Sequence, residues 1–193
     1  MSEDITQAGE RTKTLDNIIQ GRAGGKTERC HGIPHQGSYS VAAHSWGVAL
    51  LMFQLWPEDF PRLAIYCLTH DNPEFWAGDI PSPTIRYVPG LKASLGSIED
   101  DLNRQAGLPA EGDLPHEDYM KLKVCDWFEF FLWSREQILM GNRYAQEGLN
   151  EVTRHLNDQA LPFPAAWYWN KLRDMSDDSL LPRQAGVMQK VCK

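Results

Sequence analysis

A chain of 193 residues that is 42% hydrophobic and holds seven Trp, six Tyr and seven Phe is long enough for one domain with a substantial core, and too apolar for a disordered segment. Its formal net charge of −7 argues against an extended nucleic-acid surface, which normally needs a basic face, while leaving room for a small anionic ligand held by a few local cations. No apolar run reaches the roughly 18–20 residues of a membrane span, the polar opening MSEDITQAGERTKTLDN has no signal-peptide core, and Cys30, Cys67, Cys125 and Cys192 form no CxxC pair; a cytoplasmic protein with reduced thiols is expected.

In chain order, the opening ten residues read as loose, and a helix is expected over 14–21, where Leu15, Ile18 and Ile19 share a face. A Gly- and Pro-containing loop follows. Ser40 then caps a helix to about Leu55, with Val41, His44, Val48, Leu51 and Met52 on one side. PEDFP breaks the chain, and Pro61 suits the first turn of a helix carrying Ala64, Cys67, Leu68 and Asp71 at helical spacing. After a turn around GDIPSPT, helices are expected over 92–107, 117–142, 144–157 and 163–175, and the last residues, PRQAGVMQKVCK, again read as loose. Strand-type alternation is nowhere sustained. The architecture predicted is an all-α bundle of six or seven helices.

Several residues carry chemistry. His44 lies on the apolar face of its helix, where a single histidine is ordinarily a hydrogen-bonded core residue. His70 and Asp71 end an apolar helix, where an imidazole meets the helix dipole. Asp126, in KLKVCDWFEFFLW, sits among aromatic and aliphatic neighbours that make an unpaired carboxylate costly, so a cation is expected beside it. Two imidazoles and two carboxylates from separate helices make a nitrogen and oxygen donor set suited to Mn, Fe, Co, Ni or Zn ions.

The ordered set H…HD…D resembles the signature of the HD-domain phosphohydrolases, an all-helical superfamily of metal-dependent enzymes. HDNPEFWAGDIPSP (residues 70–83) is similar to the HD-x-x-E-x-x-x-x-D-x-P-x-P segment of the branch that holds bacterial 5'-deoxynucleotidases and phage deoxynucleoside triphosphate hydrolases. The resemblance covers about 27–145; a helical extension over 146–176 and loose ends would complete a single domain spanning 1–193. It implies one divalent transition metal ion on His44, His70, Asp71 and Asp126, with additional Mg carried by the phosphates. It implies Glu74 and Asp79 as the proton-handling carboxylates and Arg29 as a phosphate ligand. Where relatives often carry Trp after that arginine, this chain has Cys30, which bears on base and sugar preference.

Lys123, three positions before Asp126, and Arg86 are further candidate phosphate cations. Lys121 is expected on a solvated face. Trp76, Pro83 and the aromatics of 127–133 are candidates for a base pocket, with Phe128, Phe131 and Leu132 assigned to the core. His31, His35 and His116 are available to the substrate or a second ion. The activity implied is hydrolysis at the α-phosphorus of a deoxynucleoside monophosphate or triphosphate such as dATP. A phosphodiesterase, a pyrophosphohydrolase and a non-catalytic nucleotide sensor are the alternatives. The resemblance also implies a homo-oligomer, for which exposed Trp side chains near 167–169 leave room.

Overall fold

The computed structural model describes residues 5–180, so the closing segment with Cys192 lies outside the described residues. Helix α1 (Ile5–Gly24) begins well before the expected start, and residues 5–10 are helical rather than loose. The face of Leu15, Ile18 and Ile19 is more than half exposed. α1 instead meets the rest of the chain toward its C-terminus, where a Cβ on Gly24 would collide with the buried side chain of Asn72.

Residues 27–40 form a clasp. An isolated antiparallel bridge joins Glu28 to Ser40, Arg29 N–H donates to the Tyr39 carbonyl at 2.8 Å, and Val41 N–H donates to the Thr27 carbonyl at 2.8 Å. The clasp feeds α2 (Val41–Leu55), whose first turn is capped as expected by the Ser40 hydroxyl, accepting from Ala43 N–H at 3.3 Å. α3 (Phe60–Thr69) starts with Pro61 in its first turn, where the missing N–H is not needed. It ends at His70, and the expected turn then contains two short helices, α4 (Glu74–Ala77) and α5 (Ser82–Tyr87), separated by Gly78 at φ +82°. α6 (Leu91–Gln105), α7 (His116–Leu139), α8 (Gln146–Asp158) and α9 (Ala165–Leu172) match the remaining expected helices, and a short α10 (Asp177–Leu180) follows.

The core lies where α2, α3 and α7 meet. Val48, Met52, Leu63, Cys67, Leu122, Cys125 and Phe128 are almost entirely buried there, with Phe131, Val152, Leu156 and Trp169 extending it under α8 and α9. Two expectations are corrected. Lys121 is buried, its ammonium held by Asp59 at 2.9 Å and Glu117 at 2.7 Å; charged partners across the α3–α7 junction make a burial tolerable that the lysine alone could not sustain. Trp169 belongs to the core, its indole N–H donating to Asn157 at 3.0 Å, and only Trp167 of that segment's tryptophans is exposed. Among the described residues, no helix is long and apolar enough to cross a membrane.

Candidate metal centre

Three elements bring the centre together. α2 presents His44 on its buried side, α3 ends so that His70 and Asp71 leave it in succession, and α7 offers Asp126 one turn after the buried Leu122 and directly after the buried Cys125. His44 Nε2 lies 3.2 Å from His70 Nε2, 3.4 Å from Asp71 Oδ2 and 3.2 Å from Asp126 Oδ1, and His70 Nε2 lies 3.3 Å from Asp71 Oδ2. One ligand-type atom from each of the four residues falls within 4.8 Å of all the others. Edges of 3.2–3.4 Å are those expected when nitrogen and oxygen atoms share one ion at about 2 Å each. Two imidazole nitrogens and two carboxylate oxygens crowded together in a largely buried place call for a cation, so the donor set fits a divalent transition metal.

The atoms that do not face the centre are also engaged. His70 Nδ1 meets the Cys67 carbonyl at 3.1 Å. His44 Nδ1 meets the Glu129 carboxylate, which also accepts from the Tyr39 hydroxyl. Arg29 forms an ion pair with Asp71, lies 3.9 Å from Asp126 and holds its guanidinium 5.6 Å over the Tyr39 ring. Lys123 Nζ stands 3.7 Å from Asp126 Oδ2 and 2.7 Å from Glu111. Partners of this kind fix which nitrogen is free and how each carboxylate is turned.

Charges at the centre follow from burial and these neighbours. Burial holds the His70 imidazole well below its ordinary value, so it is neutral, the form a metal ligand needs. Burial opposes ionisation of Asp126, but the His44 hydrogen bond and the Lys123 ammonium outweigh it and bring its pKa well below the carboxylate range. Burial likewise works against the charges of Arg29 and Lys123; Tyr39, Asp126 and Glu74 around the first, and Glu111 and Asp126 around the second, raise both pKa values. Glu74 is different. Burial and nearby Asp79, only partly offset by Arg29, push its carboxyl up to about 7, and its Oε2 is buried without a hydrogen-bond partner.

Asp79 accepts the Cys30 N–H at 2.5 Å through Oδ2, with His31 Nδ1 at 3.5 Å. Cys30 adopts φ +55°, a left-handed conformation that turns its N–H toward Asp79 directly after Arg29. Burial raises the Cys30 thiol to about 12, so it is neutral. Arg86 pairs with Glu151 of α8, and Trp76 is partly exposed with an edge contact to Phe75. Pro83 is exposed in the first turn of α5, His35 packs edge-on against Trp133, and His116 is exposed at the start of α7. Glu129 and Tyr39 are residues that the sequence reading passes over. A signal existed for Glu129, which continues the i, i+3, i+6 line of Lys123 and Asp126 along α7.

No protein-family model matches the chain. The dATP triphosphohydrolase of Salmonella phage PMBT28 is 29% identical to it over 170 residues, covering 76% of this chain and 82% of the relative. A solved structure of a cyanophage S-2L HD phosphohydrolase (DatZ), bound to dA and one catalytic Zn2+ ion, superposes with a TM-score of 0.57 at 19% identity, over 82% of this chain and 95% of that one. The PH0347 protein of Pyrococcus horikoshii OT3 gives a TM-score of 0.63 at 16% identity, over 86% and 97% of the two chains.

Proposed function

We propose that this chain, which carries the HD-domain phosphohydrolase fold, is a metal-dependent hydrolase of deoxynucleotides that cleaves the 5'-phosphate ester at the α-phosphorus. The observation that carries the reading is the meeting of His44, His70, Asp71 and Asp126, one ligand-type atom from each lying within 4.8 Å of the rest, with Arg29 at its edge. A deoxynucleoside triphosphate such as dATP is the favoured substrate, because the phage relative that matches most of the chain is named for that reaction. Water adds at the α-phosphorus, the bond to the 5'-oxygen breaks, and the products are deoxynucleoside and triphosphate.

The four ligand residues would hold one divalent transition ion, which when bound supplies Lewis acidity to a phosphoryl oxygen and acidity to a water molecule. The chain's own groups do the rest. Arg29 offers a forked pair of donors suited to phosphate, already aimed at the ligand carboxylates and exchangeable onto an arriving anion. Lys123 adds a second positive charge beside Asp126, so a polyphosphate meets cations rather than the chain's overall negative field. Glu74, with a pKa near operating pH, is suited to give a proton to the leaving 5'-oxygen or take one from the attacking water. Asp79 ties the Arg29 loop to the end of α4 through Oδ2, and its carboxylate faces the same region as Glu74. Arg86, paired to Glu151, is a weaker candidate for phosphate than either of the other two cations.

The test is product analysis on purified protein with Co2+, Mn2+ or Zn2+ and a panel of deoxynucleoside mono- and triphosphates. Deoxynucleoside plus tripolyphosphate from dATP is the expected result. Free phosphate from monophosphates alone would move the reading to a 5'-deoxynucleotidase, and diphosphate release would move it to a pyrophosphohydrolase. Binding without turnover would leave a sensor. Self-association belongs to the same reading: Trp46, Leu50 and Phe53 form an exposed stripe on α2, and Ile65 and Leu68 lie exposed on α3. Light scattering is expected to give more than one chain per particle, and a monomer at micromolar concentration would remove this part.

A further inference from the structure

α2 contains a glycine in its interior at position 47, one turn after His44, where a helix would ordinarily prefer alanine. A Cβ built there would lie 2.7 Å from Glu129 Cγ, 3.3 Å from Oε1 and 3.4 Å from Cδ. The bare backbone is thus a slot, and the Glu129 side chain of α7 runs through it toward α2. At its end, Oε2 accepts from both the Tyr39 hydroxyl and His44 Nδ1. An acceptor-only carboxylate on Nδ1 favours a proton there, so that once an ion takes the place of the hydrogen bond between Nε2 and Asp126, the Nε2 lone pair is the one turned toward the ion among His70, Asp71 and Asp126. Tyr39 is itself fixed, stacked on Trp133 at 4.4 Å with an interplanar angle of 12°, and buried to 3% exposure.

We propose that Glu129, seated against Gly47 and shared between Tyr39 and His44, is a positioning residue that holds the His44 ring with Nε2 turned to the metal ion. This rests on the metal-site reading given above. The second donor matters, because the Tyr39 hydroxyl on the same oxygen pins the carboxylate in place as well as the imidazole. Tyr39 also lies under the Arg29 guanidinium and is tied to it across the clasp, so the residues that orient a metal ligand also seat the candidate phosphate arginine.

The experiment titrates metal-stripped protein with Zn2+ against a chelating indicator, and records the visible spectrum of the Co2+ form as a report on ligand geometry. Glu129→Gln, which keeps the size of the side chain and removes its charge, is expected to weaken Zn2+ binding by about 10–100-fold and to alter the Co2+ bands. Gly47→Ala is expected to do the same by displacing Glu129. The double variant should be no weaker than the worse single one, because both changes break one contact. Tyr39→Phe, which keeps the ring on Trp133, should lose less, about 2–10-fold, and it tests the idea independently should Glu129→Gln not fold. A wild-type chain that takes up no Zn2+ removes the metal-site reading itself. Stoichiometric wild-type uptake, with Glu129→Gln and Tyr39→Phe both within twofold of it, removes this inference alone, as do losses for Gly47→Ala and Glu129→Gln that simply multiply.

Discussion

Glu74 is three residues past Asp71, buried deeply enough that its carboxyl titrates at about 7 rather than 4.5. A carboxyl raised in this way costs nothing below the unfolded value, where both states are protonated. The cost then grows as pH rises, and it is complete above the folded value. Glu74→Gln removes the group that must ionise. The metal-free variant is therefore expected to be more stable than wild type at pH 8, by up to about 3 kcal/mol, and no more stable at pH 4. Thermal unfolding of metal-stripped protein at the two pH values measures this, and equal differences at both would contradict a buried ionisable Glu74. The same substitution should lower turnover by about 10²–10⁴-fold while the protein still binds metal, as expected for proton transfer. Arg29 makes the contrasting case. Its guanidinium spans the carboxylates of Asp71 and Asp126, two of the candidate ligands, so Arg29→Ala should raise KM by about tenfold or more while leaving one Zn2+ bound per chain. Steady-state kinetics with parallel metal analysis separates the two effects. At this scale the sequence was informative where chemistry is written into one short segment, as with His70, Asp71 and Glu74. For Glu129 it offered only the spacing from Asp126, and on Lys121 it was misleading, because each is explained by a partner far away in the chain: His44 and Gly47 for the first, Asp59 for the second.

Among the elements, α2 matters most, since it carries one candidate ligand, the slot for Glu129 and the exposed stripe of Trp46, Leu50 and Phe53. Its start is set locally by the Ser40 cap, which the sequence makes plain through a hydroxyl residue just ahead of an apolar periodic run. Ser40→Ala should cost about 1 kcal/mol, or about 2–4 °C in melting temperature for a chain of this size. An unchanged melting temperature would mean that the bridge from Glu28 and the Val41 hydrogen bond to Thr27 already fix the helix start without the cap. Helix periodicity located α3, α6, α7, α8 and α9 to within a few residues, because each has a buried face within this chain. It was less informative for α1, whose apolar stripe of Leu15, Ile18 and Ile19 has the expected spacing yet stays exposed. Spacing shows that a helix has an apolar face and says nothing of what covers it. The short α4 and α5 escaped the same reading since neither reaches two full turns, and the Gly and Pro residues that bound them read as a single turn.

For the whole molecule, the candidate centre is also a cross-link. His44 on α2, His70 and Asp71 at the end of α3 and Asp126 on α7 belong to the three helices that share the core, so an ion bound to all four ties together the elements whose separation would unfold the protein. A ligand that binds only the folded chain stabilises it by mass action, about 2.7 kcal/mol when the free ion is at a hundred times its dissociation constant. For a chain of this length that corresponds to about 5–10 °C in melting temperature. Zn2+ added to metal-stripped protein is therefore expected to raise the melting temperature by that amount, and a chelator to reverse it. The variants then sort by role. Asp126→Asn should abolish the increment together with activity, since its Oδ1 is one of the four converging atoms. Glu74→Gln should keep the increment and lose only turnover, since no ligand atom is removed. Glu129→Gln should keep part of it, requiring more Zn2+ for the same shift, because the ligands survive while one is less firmly aimed. A full increment in Asp126→Asn would contradict the ligand assignment, whatever the activity of the enzyme. An increment lost in Glu74→Gln would mean that Glu74 touches the ion, and that its buried, partnerless oxygen is a fifth ligand rather than a proton carrier.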